Sequence, residues 1–158
     1  MSSKMPKHAA DVPKRYYFYY VLAAVAIVFV DQLTKHLIKS GGISADWGWL
    51  AITYVTNTGA GFGLFKNSGS LLLWLSIVVF GVLLYYLPDM KKATRWCIVL
   101  IMSGILGNVI DRIHYGFVVD FINLKWWPVF NVADSSIFIG VICLIVFLWK
   151  EDRNKAKK

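Results

Sequence analysis

Acidic residues are scarce in this 158-residue chain, which has nine Asp and Glu against seventeen Lys and Arg. Charged residues make up 16% of the sequence, whereas a soluble domain carries roughly 25%. Cysteine is also rare: Cys97 and Cys143 both lie in apolar runs, which excludes a disulfide-rich scaffold. With 58% hydrophobic residues and a mean hydropathy of +0.57, the composition predicts a membrane protein of one domain, and it argues against a nucleic-acid binder.

Four apolar stretches approach the roughly 20 residues that a helix needs to cross a bilayer, and none contains a proline. Basic residues before the first stretch are also typical of a cleavable signal peptide, but no small-residue cleavage site follows it, so we interpret it as a retained span. The fold class predicted is therefore an all-α membrane protein, a bundle of four transmembrane helices. The predicted spans are residues 17–38, 71–87, 96–114 and 132–149.

The basic residues predict how the chain is oriented. Twelve of the seventeen lie in the N-terminal tail, in the connection between spans two and three, or in the C-terminal tail. Because cytoplasmic segments carry an excess of Lys and Arg, both termini are predicted to face the cytoplasm. Two outer segments remain, residues 39–70 and 115–131, and residues 1–14 are predicted to be a disordered tail.

The outer segments carry structural signals of their own. Residues 49–56 are rich in β-branched and aromatic side chains and predict a strand, and the glycine-rich stretch 57–63 predicts a turn with a return strand after it. Trp47, Trp49, Trp126 and Trp127 flank the outer ends of the spans, as in an interfacial aromatic belt.

Four aspartates, each from a different segment, are predicted to lie at one depth near the outer face. A carboxylate in or beside a membrane is costly and normally has a partner and often a function. We therefore expect these four to share a site. They are Asp31, Asp111, Asp120 and Asp134.

A structural role is an alternative for two of the four. Asp31 and Lys35 are one helical turn apart, so an intrahelical ion pair accounts for both. Asp111 shares a helical stripe with Gly104 and Asn108, which indicates that small and polar side chains face the bundle interior, where packing and hydrogen bonding could be their whole role.

The other two aspartates differ in how well a structural role explains them. Asp134 follows Asn131, which could cap the fourth helix, and an acid in a first turn is favoured by the helix dipole. Asp120 interrupts the apolar run 117–122 and has no basic residue within four positions, so no simple structural role accounts for it.

The chemistry open to this set of residues is limited. The three histidines form no HExxH arrangement, and neither serine nor cysteine within the spans has a histidine placed as its base. An aspartic dyad remains: two close carboxyls share a proton, so that one activates water while the other supports the developing oxyanion. Aspartates near span ends also serve ion and proton transport, which stays open on spacing alone.

The polar motifs resemble those of the lipoprotein signal peptidase (signal peptidase II) family, aspartic peptidases of bacterial membranes. Their order and their placement relative to four spans agree with that family over nearly the whole chain. Gly61 and the pair Ser103-Gly104 depart slightly from its usual pattern. The motifs are residues 31–35 (DQLTK), 57–63 (NTGAGFG), 107–112 (GNVIDR) with 118–121 (VVDF), and 130–135 (FNVADS).

The resemblance implies a function and a set of roles. The family removes the signal peptide from prolipoproteins by cutting on the N-terminal side of a diacylglyceryl-modified cysteine, and its first outer segment would form a small extracytoplasmic β-sheet that cradles the substrate. Asp120 and Asp134 match the catalytic pair, and Asp31 with Lys35 matches a structural ion pair. Positions that bind substrate or support the site are Asn57, Gly59, Asn108, Asp111, Arg112, Asn131 and Ala133.

We expect no metal, no cofactor and no nucleic-acid partner, and a monomer in contact with membrane lipids and lipidated precursors. The expected location is the bacterial cytoplasmic membrane, with the active site at its outer face. A proton-coupled carrier is a rival hypothesis, but it predicts acids at the bilayer midplane and inverted repeats, neither of which the sequence indicates. A non-catalytic assembly protein, whose acids pair with a partner's basic residues, is a third.

Overall fold

The computed structural model describes residues 14–41, 43–59 and 68–156, and within these residues four helices are long and apolar enough to cross a membrane. This confirms the predicted four-helix architecture. The helices are α1 (Lys14–Lys39), α2 (Gly69–Tyr86), α3 (Lys92–Tyr115) and α4 (Val132–Lys155), with a short 3-10 helix, Leu87–Asp89, after α2. Helices α1, α3 and α4 extend beyond the predicted spans, because hydropathy marks the part that fits in lipid, whereas the helical backbone continues into charged residues. Helix α2 begins two residues before its predicted span and ends one residue before the end of it.

Helix α3 is the central helix of the bundle. Fourteen of its residues are buried, against three in α4 and none in α2. Its apolar face forms the core around Ile98, Ile101 and Ile105, with Leu73 and Phe80 of α2 packed against it. Polar groups that α3 carries in its outer half are therefore enclosed by the other helices.

Small residues bring α4 close to α3. A Cβ at Gly104 would collide with the backbone carbonyl of Ala133, and one at Gly140 would lie 2.8 Å from the carbonyl oxygen of Cys97. The Ser136 hydroxyl donates across the same interface to the Leu100 carbonyl at 2.8 Å. This close approach places the start of α4 directly beside Asn108 and Asp111 of α3.

A three-stranded antiparallel sheet lies at the end of the bundle where α1 and α3 finish and α2 and α4 begin. Its strands, in the spatial order β1-β2-β3, are β1 (Ala45–Asp46), β2 (Ala51–Asn57) and β3 (Val118–Asn123). Val55 pairs with Asp120 and Asn57 pairs with Val118, and the register shifts between Ile52 and Val55. The sheet therefore joins the two outer segments.

The strand predicted at 49–56 is confirmed as β2, but its partner was not foreseen. Residues 118–121 are all buried, so β3 has a continuous apolar pattern broken only by Asp120 and lacks the alternation that marks a half-exposed strand. The predicted return strand and most of the turn at 57–63 lie outside the described residues. So does the predicted tail 1–14, except for Lys14, where α1 begins.

Candidate active site

A glycine turn brings the end of α3 and the start of β3 together. Gly116 ends α3 with φ of 75°, a left-handed conformation that glycine adopts without a steric penalty, and its N–H donates to the Arg112 carbonyl. The chain can therefore reverse within two residues. As a result the carboxylate of Asp111 accepts the backbone N–H of Val119 at 3.0 Å.

A buried ion cluster lies beneath this turn. The Lys35 ammonium is 2.8 Å from Asp31 and 3.1 Å from Asp111, and all three side chains are almost wholly buried. The Gln32 side-chain amide donates to Asp31 and to Asp111 at 3.1 and 3.0 Å. The predicted Asp31–Lys35 contact is present, and it extends to a second carboxylate and ties α1 to α3.

Asp31 also fixes the beginning of α4. Its other oxygen accepts the backbone N–H of Ala133 at 2.8 Å. That N–H belongs to the first turn of the helix and has no partner within it, so a carboxylate there satisfies the donor and matches the helix dipole. Ala133, which is fully buried, is therefore held between α1 and α3.

Asn131 caps α4 and connects it to β3. Its side-chain oxygen accepts the N–H of Asp134 at 2.8 Å, while its own N–H donates to the Asp134 carboxylate at 3.2 Å, which makes a reciprocal capping box. The amide nitrogen of the same side chain donates to Asp120 at 2.7 Å. One fully buried asparagine thus contacts both Asp120 and Asp134.

A second asparagine holds Asp120 from the opposite strand. Asn57, the last residue of β2, donates to the other carboxylate oxygen of Asp120 at 2.9 Å. The Asn57 side-chain oxygen accepts the N–H of Gly59 at 3.0 Å, which orients the amide. Both oxygens of Asp120 are therefore held by amide donors, from Asn57 and Asn131.

A third asparagine links Asp134 to the ion cluster. Asn108 donates to Asp134 at 2.8 Å. Its side-chain oxygen accepts from the Lys35 ammonium at 3.0 Å and from Asn131 at 3.1 Å. The position of the Asp134 carboxylate is thus set from the buried lysine through one amide.

The two carboxyl groups face one cavity of about 330 Å³. Asn57, Asn108 and Arg112 line it together with apolar residues. The Arg112 guanidinium donates to the Gly59 carbonyl at 3.3 Å, and its Nε has no hydrogen-bond partner among the described residues. Also within the described residues, no three His, Cys, Asp or Glu side chains are grouped so that they could hold a metal ion.

The environment of Asp120 favours its protonated form. Burial, and after it the negative charge of Asp134, together raise the pKa of this carboxyl from 3.8 to about 7. Hydrogen bonds from Asn57 and Asn131 act in the opposite direction and are outweighed. A carboxyl that can hold a proton near neutral pH lies beside a second carboxyl in the same cavity.

Comparison with known proteins identifies the family of this chain. The family model described as "Signal peptidase (SPase) II" matches residues 23–150. The chain belongs to the signal peptidase II family. Members of this family are peptidases that remove signal peptides from prolipoproteins, and with four membrane-length helices this member is a multi-pass bacterial membrane protein.

Individual members of the signal peptidase II family agree with this over most of the chain. The lipoprotein signal peptidase of Streptococcus thermophilus (strain CNRZ 1066) is 37% identical over 143 residues, which cover 84% of this chain and 94% of the relative. That of Thermodesulfovibrio yellowstonii is 43% identical over 129 residues, covering 75% and 86%. A solved bacterial membrane enzyme has a TM-score of 0.79 at 36% identity, covering 89% of this chain and 93% of that one.

The structure brings the predicted signal peptidase II residues together in two connected groups. Around the cavity lie Asp120 and Asp134 with the other lining residues predicted from the sequence: Asn57, Gly59, Asn108 and Arg112. Behind them lies a buried support of Asp31, Lys35, Asp111, Asn131 and Ala133. Asn131 and Asn108 are the contacts between the groups.

Some residues of this signal peptidase II site were not predicted. Gln32 joins both carboxylates of the ion cluster; it lies within the 31–35 motif, but no role was assigned to it there. Residues 127–130 form one side of the cavity, whereas Trp127 was interpreted only as part of an aromatic belt. The one signal in this segment is Pro128, because a proline restricts the backbone of the loop that returns to β3 at Phe130.

Proposed function

We propose that this protein is an aspartic endopeptidase that cuts diacylglyceryl-modified prolipoproteins on the N-terminal side of the lipidated cysteine, with Asp120 and Asp134 as the catalytic pair. One observation carries the proposal. Both carboxyls line a single cavity, and Asn131 contacts each of them. Two carboxyls in one partly enclosed site are the minimum that metal-free peptide hydrolysis by an aspartic mechanism needs.

The surroundings of the two aspartates favour different starting states. Asp134 lies in the first turn of α4, where the helix dipole and hydrogen bonds from Asn108 and the Asn131 N–H stabilise a negative charge, so we assign it as the ionised base. Asp120 is the proton donor, because burial and the neighbouring charge raise its pKa to about 7. The pair titrates as a unit, so these roles describe the dominant protonation state of the free enzyme.

The reaction then follows from these states. Asp134 takes a proton from water as the water oxygen bonds to the scissile carbonyl carbon, and Asp120 gives its proton to the carbonyl oxygen. When the tetrahedral intermediate collapses, the carbon–nitrogen bond breaks. The amine takes the proton from Asp134, and the oxygen returns its proton to Asp120. Both carboxyls end in the state in which they began.

The remaining site residues support this chemistry. Asn57, Asn108 and Asn131 hold the two carboxyls by hydrogen bonds of 2.7 to 2.9 Å. Gly59 and Arg112 line the cavity where substrate backbone would lie. Asp111 and Ala133, with the Asp31–Lys35 pair, fix the elements behind the site and are positioning residues in this proposal.

The lipidated substrate that the family implies suits a site at the end of a membrane-spanning bundle. A lipidated cysteine buries its acyl chains at about 0.8 kcal/mol for each CH₂, and this fixes the scissile bond near the bilayer surface. Such positioning also lowers the entropic part of the barrier. We propose that a monomer works in the bacterial cytoplasmic membrane, with both termini in the cytoplasm and the cavity at the outer face.

Purified protein should cleave a diacylglyceryl-modified precursor and leave the unmodified precursor intact. Asp120→Asn and Asp134→Asn keep the size and an acceptor oxygen, so each should remain folded while cleavage falls to background. Gel analysis of the product measures cleavage, and thermal unfolding shows whether each variant is folded. Near-normal turnover by either folded variant would show that the pair is wrongly chosen.

A further inference from the structure

A second cavity, of about 420 Å³, adjoins the first. It is lined by Leu124, Trp126, Trp127, Phe130, Asp134 and Phe138, so that five of its six lining residues are apolar or aromatic and the sixth is one of the two proposed catalytic acids. Trp127, Phe130 and Asp134 line both cavities. We call the second one the aromatic cavity.

The loop that forms one wall of the aromatic cavity is held in shape at both ends. Phe130 returns to the sheet and exchanges backbone hydrogen bonds with Ile122, so residues 124–129 form a loop whose two ends are held together by the sheet. At its start the Asn123 side chain accepts the N–H of Lys125 at 2.8 Å. At its tip the rings of Trp126 and Trp127 stack edge to face, 5.8 Å apart.

The other wall of the aromatic cavity is formed by α4, which runs from the catalytic pair toward the bilayer interior. Asp134 and Phe138 are one turn apart on α4, so Phe138 lies about 6 Å further along the helix, in the direction of the bilayer interior. Its side chain is 64% exposed on the protein, and that of Trp126 is 77% exposed. The aromatic cavity therefore leads from a carboxyl at the site to the lipid-facing surface.

We propose that the aromatic cavity holds the first part of the acyl chains of the lipidated cysteine and so selects for diacylglyceryl-modified substrate. This rests on the function proposed above. The lipid is attached to the residue directly after the scissile bond, so its chains must leave the catalytic pair within a few bonds and enter the bilayer. The aromatic cavity shares a wall with the catalytic cavity, is apolar and is directed along α4 into lipid.

The benefit of this contact is placement of the scissile bond more than affinity. Lipid tails are as apolar as the cavity walls, so moving a chain from the bilayer into the cavity gains little transfer free energy. Packing against rigid aromatic rings instead limits where the attached cysteine can lie. A displacement of about 1 Å at a catalytic centre can cost on the order of 100-fold in rate, so the effect should be found in kcat.

The test compares kcat for two precursors that differ only in acyl length, one carrying palmitoyl and one carrying butyryl chains, in wild type and variants. In Phe138→Ala and Trp126→Ala, the ratio of long-chain to short-chain kcat should fall by about 10-fold to 100-fold. Both side chains are largely exposed on the protein, so their removal should leave the bundle folded.

Trp74→Ala is the matched control. Trp74 lies near the same end of the bundle, in the second turn of α2, is 66% exposed, and lines neither cavity. If these aromatics act only as an interfacial belt, all three variants will change the ratio equally, and the proposal is overturned. If wild type cleaves neither precursor, the proposed function itself fails. If wild type cleaves and no variant alters the ratio, only the acyl site fails.

Photo-cross-linking measures where the acyl chain is bound without requiring that the substrate be cleaved. A precursor with a photoreactive diazirine near the glycerol end of its acyl chain is bound to full-length Asp120→Asn, which keeps the aromatic cavity intact. Labelling should concentrate in residues 124–138, and Phe138→Ala introduced into the same background should reduce it. Labelling confined to α1 or α2 would show that the chains leave the site by another route.

Discussion

Two lysine–aspartate pairs of nearly equal length differ sharply in environment. Lys35 and Asp31 are 2.8 Å apart with side chains that are 3% and 1% exposed, whereas Lys125 and Asp46 are 2.7 Å apart at 40% and 61% exposure. Solvent and salt screen the exposed pair, so it contributes little to stability. Removing one partner of the buried pair leaves a charge in a medium that cannot solvate it.

Asp31→Ala should therefore lower the free energy of unfolding by about 3 to 5 kcal/mol, because Lys35 keeps only Asp111 as its counter-ion and the Ala133 N–H loses its acceptor. Asp46→Ala should leave the free energy of unfolding nearly unchanged, because solvent and salt screen its pair with Lys125. Thermal unfolding in detergent measures both. If Asp31→Ala is as stable as wild type yet inactive, Asp31 belongs to the catalytic site and not to its support.

The buried pair also shows what the sequence could predict at this scale. The spacing of Asp31 and Lys35 on one helix predicted their contact, because helical geometry is local. The contacts of Lys35 with Asp111 and Asn108 bridge 76 and 73 positions in the chain and depend on how α1 packs on α3. No local pattern encodes that packing.

The raised pKa of Asp120 predicts a pH dependence of activity. The mechanism needs Asp120 protonated, and its pKa of about 7 means that the proton is lost as pH rises through that value. We expect kcat/KM, which reports the free enzyme, to fall above about pH 7, approaching tenfold per pH unit. A rate that stays constant up to pH 9 would contradict the role of Asp120 as the proton donor.

The same shift predicts the pH dependence of stability. The folded pKa of Asp120 lies above its ordinary value of 3.8, so the folded state binds this proton more tightly and loses stability as pH rises from about 4 to about 7. Asp120→Asn carries no charge to bury. Its unfolding temperature relative to that of wild type should therefore increase as pH rises from about 4 to about 7. A difference that stays constant over this range would count against a buried carboxyl with a raised pKa.

At the scale of the elements, the close contact of α3 and α4 depends on two glycines, Gly104 and Gly140, and Gly104 is the one next to the site. A Cβ at Gly104 would meet the Ala133 carbonyl and the Ile137 side chain, whereas one at Gly81, in the middle of α2, would meet nothing within 4 Å. Gly104 and Gly81 both lie inside helices, so an alanine gains the same helix propensity at each. The difference between the two substitutions isolates the packing between helices.

Gly104→Ala should destabilise the protein by about 1 to 3 kcal/mol through overpacking, and Gly81→Ala should be neutral or stabilising. Because Ala133 adjoins Asp134, Gly104→Ala should also lower cleavage. Thermal unfolding and product formation measure the two effects. Equal unfolding temperatures for the two variants would show that α3 and α4 can separate without cost, contrary to the packing described.

The elements differ in how far the sequence could predict them. Long apolar runs identified all four helices, because crossing a bilayer demands both length and apolarity. The stretch 49–56 identified β2, since β-branched and aromatic residues cluster there. Strand β3 was missed because burial on both faces removes alternation, and its pairing with β2 joins segments on either side of two helices. The contact between Asn57 and Asp120 could not be predicted without the pairing of β2 with β3.

At the scale of the whole molecule, the charges are divided between the two ends of the bundle. Among the described residues, cations at the site end are engaged with protein groups: Lys35 with Asp31, Arg112 with the Gly59 carbonyl, Lys125 with Asp46, and Lys39 over the Tyr115 ring at 3.2 Å. The opposite end carries more of them: Arg15, Lys91, Lys92, Arg95, Lys150, Arg153 and Lys155. The fold thus preserves the asymmetry that the sequence indicated.

This asymmetry predicts the orientation in the membrane. Cytoplasmic ends of spans carry the excess of Lys and Arg, so the end with α4's last residues should be cytoplasmic and the cavity should face outward. A fluorescent protein that matures only in the cytoplasm, fused after Lys158, should therefore be bright, and a phosphatase active only outside should be silent there. As the control, the phosphatase fused after Asp46 of a truncated chain should be active. The reverse pattern would put Asp120 and Asp134 on the cytoplasmic side, where a secreted precursor's cleavage site does not reach them.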